Sequence, residues 1–446
     1  MALSLPRATA AICATVVLVA TVFGGVATAQ AKGPSRATQR LQLRSYAIQM
    51  TNNSQRYLHT TWFRKLYSYT TAQVPGALDA SGTPGATQTV QVLVPRNGFS
   101  AGEVPIRSQA SALYATAIAL HNGYYNASTV TVSKAEAMRR TAAWTSGLAL
   151  SYQNGHWAHG WQSGLWVYYL GFGARQVWSS LPPVTRSLVT SAVASEADYL
   201  LTVPPPNFRD ANGKILSIGD TKSEENAWNA SLLIMAAREF PGNPHAADWE
   251  RQGRWYQITA YETPNQVGTD PRITGSNLNP DGTITNHGYI HPDYMICAGE
   301  FQAKIRMVAW NTRSVVPAEA ANNFLLVWQG LTQHKFKPPY FDQPGGTIYR
   351  RGPNRTTTDR MYYPQGGAWS NYRRFNAAQM DVEAFATKTD SMAYAWAKTH
   401  MLYTLRQQNR QKDRHIFSRG QTWFPEDEQF AACTAAEMAY RLSVMR

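Results

Sequence analysis

Apolar residues recur at intervals of three and four along most of the chain. The pattern holds over residues 110–121, 135–152, 161–178, 185–200, 226–239, 246–261, 294–310, 318–331, 384–405 and 431–442. Such spacing lines one face of an α-helix, so each stretch predicts a helix. Residues 41–69 predict one or two more. Only residues 89–95, TVQVLVP, alternate with the two-residue period of a strand, and glycine and proline surround them. Segment 74–104 is rich in Gly, Pro and Thr, whereas 203–222, 263–292 and 335–374 are long, aromatic and rich in Gly and Pro. Loops of that length inside a compact domain are usually functional.

The pattern predicts an all-α fold: an (α/α) toroid of helical hairpins, incomplete or six-fold, with long loops at one rim. Its inner helices would be apolar on all sides. No repeat of solenoid length is present and no linker interrupts the chain, so residues 32–446 read as one domain.

The first 31 residues read differently. Arg7 supplies a positive charge, residues 8–22 are apolar, and Ala27-Thr28-Ala29 or Ala29-Gln30-Ala31 offers small residues for cleavage. The apolar run is shorter than the roughly 20 residues that span a bilayer. It predicts a signal peptide, 1–31, and a soluble, secreted protein. Arg7 is its only charged residue, so removal takes the net charge from +14 to +13. Hydrophobic residues make up 44% and charged ones 16%, which excludes disorder as the main state. A secreted protein this basic suits a polyanion, by long-range attraction: acidic polysaccharide, nucleic acid or wall polymer. Cys13 leaves with the signal. Cys297 and Cys433 remain, and an oxidising compartment predicts a disulfide between them.

Four stretches carry candidate chemistry. In Ser223-Glu224-Glu225-Asn226-Ala227-Trp228-Asn229, Ser223 reads as an N-cap with an acidic first turn behind it. Asn226 and Asn229 lie three apart, on one helix face, and can donate to a carboxylate or carbonyl oxygen. The run from Asn279 to Tyr294 crowds His287, His291, Tyr289, Tyr294, Asp281 and Asp293 into a loop entering a helix at Pro292. A His beside a Tyr can abstract and return a proton. His287, His291 and Asp293 could also be read as metal ligands, but no closed ligand spacing is present, so no metal is expected. Arg350, Arg351, Arg355 and Arg360 lie within 11 residues, interleaved with tyrosines that include Tyr363, and Trp369 follows. Arginine forks grip carboxylates and sulfates, and aromatic rings offer platforms for sugar faces. Finally, Trp161 and Gln162 open a helix in a Trp- and His-rich setting that suits a sugar subsite.

The order of these segments resembles the helical catalytic domain of α/α-toroid polysaccharide lyases. The group includes hyaluronate, chondroitin and xanthan lyases, with heparinase II/III-type and alginate lyases sharing the toroid logic. The resemblance rests on the helix at 161–178, the Asn-Trp region at 226–229, Asp281-Gly282 before His287 and Tyr294, and Arg350-Arg351-Gly352 with Arg355. It implies a secreted lyase that cleaves a uronic-acid-containing, anionic polysaccharide by β-elimination. In that scheme Asn226 neutralises the uronate carboxylate, His287 and Tyr294 handle the C5 proton and the leaving oxygen, and Arg351 supports them. Trp161, Gln162, Trp228, Asn229, Tyr289, His291, Arg355, Tyr363 and Trp369 would bind substrate. No cofactor is required, neither nucleic acid nor membrane is a partner, and the protein is expected to be a monomer. Two departures stand out: Ala227 follows Asn226 directly, and only seven residues separate His287 from Tyr294, so Tyr289 competes for the tyrosine role. The runner-up is a toroid glycoside hydrolase using Glu224 or Glu225 with Asp293. A third class is a non-catalytic binder of acidic polysaccharide.

Overall fold

A computed structural model describes residues 34–76, 85–95, 103–336, 346–366, 372–418 and 426–445. The expected leader, 1–31, and Trp369 lie outside the described residues. The chain is mostly helical, as the periodicity requires.

Helix α1 (Arg36–Tyr57) runs through a π-helical turn (Leu58–Trp62) into the short α2 (Phe63–Leu66). The chain then leaves the helix earlier than expected. Tyr67–Val74, rich in aromatic and β-branched residues, forms strand β1, which pairs antiparallel with β2 (Gln88–Pro95), the one strand legible in the sequence. Next come α3 (Glu103–His121), the single turn α4 (Ala127–Val130), α5 (Lys134–Gln153), α6 (Ser163–Gln176), α7 (Pro183–Leu201), α8 (Ser223–Glu239), α9 (Ala246–Ala260) and α10 (Pro292–Asn311). The last four are α11 (Phe324–Thr332), α12 (Arg374–Ala386), α13 (Ala393–Arg410) and α14 (Asp427–Val444), and in the loops before α8 and α10 two short strands, β3 (Arg209–Asp210) and β4 (Gly275–Ser276), pair antiparallel.

Two expected helices are each broken in two. The stretch 318–331 is a 3₁₀ turn and then α11, separated at Asn323, whose φ of 50° no helix tolerates. The amide of Asn323 donates to the carbonyl of Tyr261 at 2.6 Å and holds the break. The stretch 384–405 spans the end of α12 and the start of α13. Lys388 takes φ 59°, and Asp390 accepts the N–H of Met392 at 2.6 Å. A period of 3.6 continues across such a turn by accident, so the spacing hid it.

The packing partners form a circuit. Helix α3 packs on α6, α6 on α8, α8 on α10, α10 on α12, α12 on α14, and α14 back on α3. A second set lies against these: α1 on α14, α5 on α3, α7 on α6, α9 on α8, α11 on α10 and α13 on α12. The first set is buried almost all round. In α6 every residue but Arg175 is buried, and in α12 every residue from Arg374 to Phe385. The second set is half exposed, as with α13, where buried positions recur at Ala393, Trp396, Ala397, His400 and Met401. One contiguous apolar cluster runs through all of them, from Leu43 to Met445.

Charge inside this core is paired. Lys304 lies between Glu300 at 2.8 Å and Glu437 at 2.6 Å, and Glu383 faces Arg306 at 2.8 Å and Arg441 at 2.7 Å. Each cluster ties α10 to its neighbours, because a buried charge stripped of its partner costs several kcal/mol. Among the described residues no helix is long and apolar enough to cross a membrane.

Candidate active site

The first turns of α3, α6, α8, α10, α12 and α14 meet at one cleft of about 1400 Å³. Helical spacing aims several side chains of each helix into it: Glu224 and Trp228 from α8, Asp293, Cys297 and Glu300 from α10, Leu165 and Tyr169 from α6. Helix N-termini carry partial positive charge, which favours the acidic residues gathered there. Asp220, Glu224, Glu225, Asp293, Glu300, Glu426 and Asp427 all line the cleft, against Arg107, Lys222 and Arg373.

Each of those cations faces a carboxylate. Lys222 lies 2.8 Å from Asp220 and 3.0 Å from Glu225, Arg107 is 3.0 Å from Glu426, and Arg373 pairs with Asp427. Glu224 differs. Burial pushes its carboxyl up to about 8, and the neighbouring charge of Glu225 adds to the shift. It is therefore a protonated acid at neutral pH, facing the cleft.

The second feature is the hairpin of β5 (Thr285–Asn286) and β6 (Tyr289–Ile290). Its two turn residues, His287 and Gly288, take φ of 49° and 80°, as a tight two-residue hairpin turn demands. The turn is held from outside: Gly288 donates its N–H to the carbonyl of Gly219 at 2.8 Å, and Asn286 donates to Asp220 at 3.0 Å. In this position the Nε2 of His287 lies 2.8 Å from the hydroxyl of Tyr294. Burial, then the charge of Glu224, pushes the Tyr294 phenol well above its ordinary value, so it is a proton donor and not a base. His291 lies beneath, fully buried, its ring 5.0 Å from that of Tyr294. Burial lowers its pKa to about 3, which keeps the ring neutral and makes it a support, not a substrate ligand at the rim.

At the mouth, Trp161 is 61% exposed and meets Trp228 edge to face at 5.8 Å. The indole N–H of Trp161 points to Glu225 at 3.4 Å. Tyr289 and Ile218 complete an exposed apolar rim. Gln162 is buried and accepts from Arg107.

The cleft thus gathers Glu224, Glu225, Trp161, Gln162, Trp228, Tyr289, His287, Asp293 and Tyr294 from the sequence candidates. Others lie elsewhere. Asn226 is wholly buried and donates to the carbonyl of Pro206 at 2.8 Å and the hydroxyl of Thr259 at 3.3 Å; it is a structural amide. At the N-terminus of α8, Ser223 is the first helical residue and does not cap, so the helix begins one residue earlier than a cap there would require. Glu224 then faces the cleft and Asn226 the core. Asn229 lies against α6, its Oδ1 2.4 Å from where a side chain on Gly164 would begin. Tyr363 is buried outside the cleft lining, and Arg351 and Arg355 line a separate pocket. Cys297 and Cys433 are free thiols, not a disulfide: Cys297 faces the cleft, and Cys433 donates to the carbonyl of Ser111 on α3 at 3.2 Å. Among the described residues, no group of three or more His, Cys, Asp or Glu is arranged to hold a metal ion, the trio of His287, His291 and Asp293 included.

Sequence reasoning missed Arg107, Asp220, Glu300, Arg373, Asn376, Glu426 and Asp427. Their shared signal is position. Most sit at or near the first turn of a helix that is buried on all sides, which only the helix circuit makes visible. No protein family, curated protein or solved structure matches the chain.

Proposed function

We propose that the helix circuit is a six-hairpin (α/α) toroid and that its cleft hydrolyses a glycosidic bond. The observation that carries the reading is Glu224: a carboxyl kept protonated at neutral pH, within a cleft that holds further carboxylates behind an aromatic rim. Glycoside hydrolysis needs such a pair, one acid to protonate the leaving oxygen and one carboxylate to activate water or attack. Glu224 is the acid. Asp293, on the neighbouring helix α10 beside the neutral ring of His291 at 3.3 Å, supplies the carboxylate. Trp161 and Tyr289 offer faces on which a sugar ring stacks. The leader-like first 31 residues make this an exported enzyme.

A second reading is β-elimination, favoured by the contact between His287 and Tyr294. There His287 takes the C5 proton and the Tyr294 phenol protonates the departing oxygen. Elimination also needs the uronate charge neutralised. Arg107 and Arg373 are the guanidiniums in the cleft, and each is engaged by a carboxylate. The hydrolase reading therefore stands first. Digestion of a panel of neutral and uronate glycans separates the two. Hydrolysis yields new reducing ends with no ultraviolet-absorbing unsaturated uronide; appearance of that chromophore in step with cleavage would sink the hydrolase.

A further inference from the structure

The second pocket, of about 470 Å³, lies between the end of α11 and the hairpin of β7 (Tyr349–Arg351) and β8 (Thr357–Met361). It shares no residue with the cleft. Lys335, Arg350, Arg351 and Arg355 line it, with Thr332, Gln333 and Thr347 as neutral polar neighbours, and no acidic residue is among its described lining. Lys335, Arg351 and Arg355 have no carboxylate within ion-pair distance among the described residues.

The pocket is built, not a chance cluster of surface charge. Tyr349 opens β7 and is wholly buried, its ring 6.0 Å from Trp328, 5.0 Å from Trp396 and 5.0 Å from His400. His400 is in turn held by Asp381 at 2.7 Å. The residue after Tyr349, Arg350, lays its guanidinium on the ring of Tyr362 at 4.0 Å, which fixes the plane of the fork. Gly346, with φ 125°, passes so close that a Cβ would lie 2.6 Å from that guanidinium. The backbone then turns through Asn354 and Arg355, both with positive φ, and this sets Arg355 beside Arg351 along the pocket. Left-handed backbone is strained for an ordinary residue, and the surrounding structure must offset that strain.

Lys335, Arg351 and Arg355, with no carboxylate within ion-pair distance among the described residues, repel one another, and an oxyanion between them removes the repulsion. Guanidinium forks match the geometry of sulfate, carboxylate and phosphate. We infer that this pocket is a second binding site, separate from the cleft, for an oxyanionic group carried on a glycan polymer. The volume exceeds that of a single oxyanion, and Lys335 and Arg355 stand exposed at its edge, where a long chain can pass. The chain's net charge of +14 draws such a polymer in.

The test is equilibrium binding of dextran sulfate, with uncharged dextran as control, by wild type, Lys335→Gln and the double variant Arg351→Ala/Arg355→Ala. Hydrogen bonds to charged groups are each worth roughly ten-fold or more in affinity. The double variant is therefore expected to lose at least about ten-fold and Lys335→Gln several-fold, while uncharged dextran does not bind. Lys335 is exposed, so its variant keeps the fold and keeps the test decisive if the double variant does not. Binding by both variants within two-fold of wild type overturns the site, as does equal binding of uncharged dextran. Inorganic sulfate, added against sodium chloride of equal ionic strength, distinguishes the sources. Failure to displace the polymer supports the polymer, and full displacement at equal sulfate overturns it in favour of a free ion. Glu224→Gln, dead in the cleft under the proposed function, is expected to bind dextran sulfate like wild type, so this inference and that reading fail separately.

Discussion

The cleft and the arginine pocket are both crowded with charge, and they solve the crowding in opposite ways. In the cleft, each Lys or Arg faces a carboxylate, and one acid, Glu224, gives up its charge by holding its proton. In the pocket Lys335, Arg351 and Arg355 have no carboxylate within ion-pair distance among the described residues, and no acid is among the described lining. Acids in excess of the cations they pair with can be poised for proton transfer. Charge that is unbalanced is poised for a ligand that brings the missing sign. Seven acidic side chains against three cations make the cleft a poor host for a polyanion, and the arginines expected to clamp a uronate there stand in the pocket instead.

The largest expected effect breaks the cleft side of this comparison. Glu224→Gln removes a proton donor and should lower kcat by about 10²–10⁴-fold, the usual contribution of a general acid. In wild type, activity should fall as pH rises through about 8, because the acid must be protonated to act. The variant's residual activity should lack that limb. A pH–rate profile without an alkaline limb near that value removes Glu224 from the role. Stability follows the same proton. The folded-state value lies above that of an unfolded carboxyl, so the folded chain holds the proton more tightly. Its contribution is full below about pH 4 and is lost as pH rises through about 8. Thermal melts of Glu224→Gln should therefore drop less than wild type between those limits.

The next effect sharpens the choice between mechanisms. Tyr294→Phe keeps the ring against His291 and removes only the hydroxyl that meets His287. On the hydrolase reading it should lower kcat modestly, by less than about ten-fold, through looser placement of the hairpin. A loss as deep as that of Glu224→Gln, with unsaturated product from wild type, would move the acid chemistry to the tyrosine.

How much of this was legible in the sequence depends on what each residue's role rests on. Helices were legible where a 3.6-residue period ran against a core, and β2 where alternation was clean. The turn at Lys388 was not, because polar and apolar positions happened to stay in phase across it. In the cleft, Glu224, Glu225, His287 and Tyr294 were legible as chemistry-bearing types in a loop at a helix start. The exchange of Asn226 for Glu224 as the inward-facing residue was not. The two lie two residues apart, roughly 200° around the helix, and which of them faces the cleft is set by how α8 packs and not by any local motif. Arg373, Glu426 and Asp427 carry no local motif, since their meaning comes only from the convergence of six helices.

The thiols provide a smaller test of the same core. With Cys297 and Cys433 free, the denatured, unreduced protein expressed without residues 1–31 should titrate two thiols per chain, and reduction should leave the melting temperature unchanged. In the native state both should react slowly with a thiol reagent, since burial raises each thiol well above its ordinary value. One disulfide per chain would restore the pairing expected from the compartment.

The smallest expected effect concerns Asn226, and it separates a structural amide from a catalytic one. Its Nδ2 joins the carbonyl of Pro206, in the loop before α8, to Thr259 at the end of α9. Asn226→Ala leaves that buried carbonyl short of a donor, since the amide of Asn277 reaches it only at 3.4 Å. A buried polar group left unpaired costs about 1–3 kcal/mol. Unfolding entropy for a chain of this length is close to 1 kcal/mol per kelvin, so the melting temperature should fall by about 1–3 °C. Turnover at a temperature well below the melt should stay within about two-fold of wild type, because nothing of Asn226 faces the cleft. A carboxylate-neutralising amide would behave in the opposite way, with an unchanged melt and a kcat lower by about 10²-fold or more. That outcome would turn α8 by two residues and return the cleft to the elimination scheme.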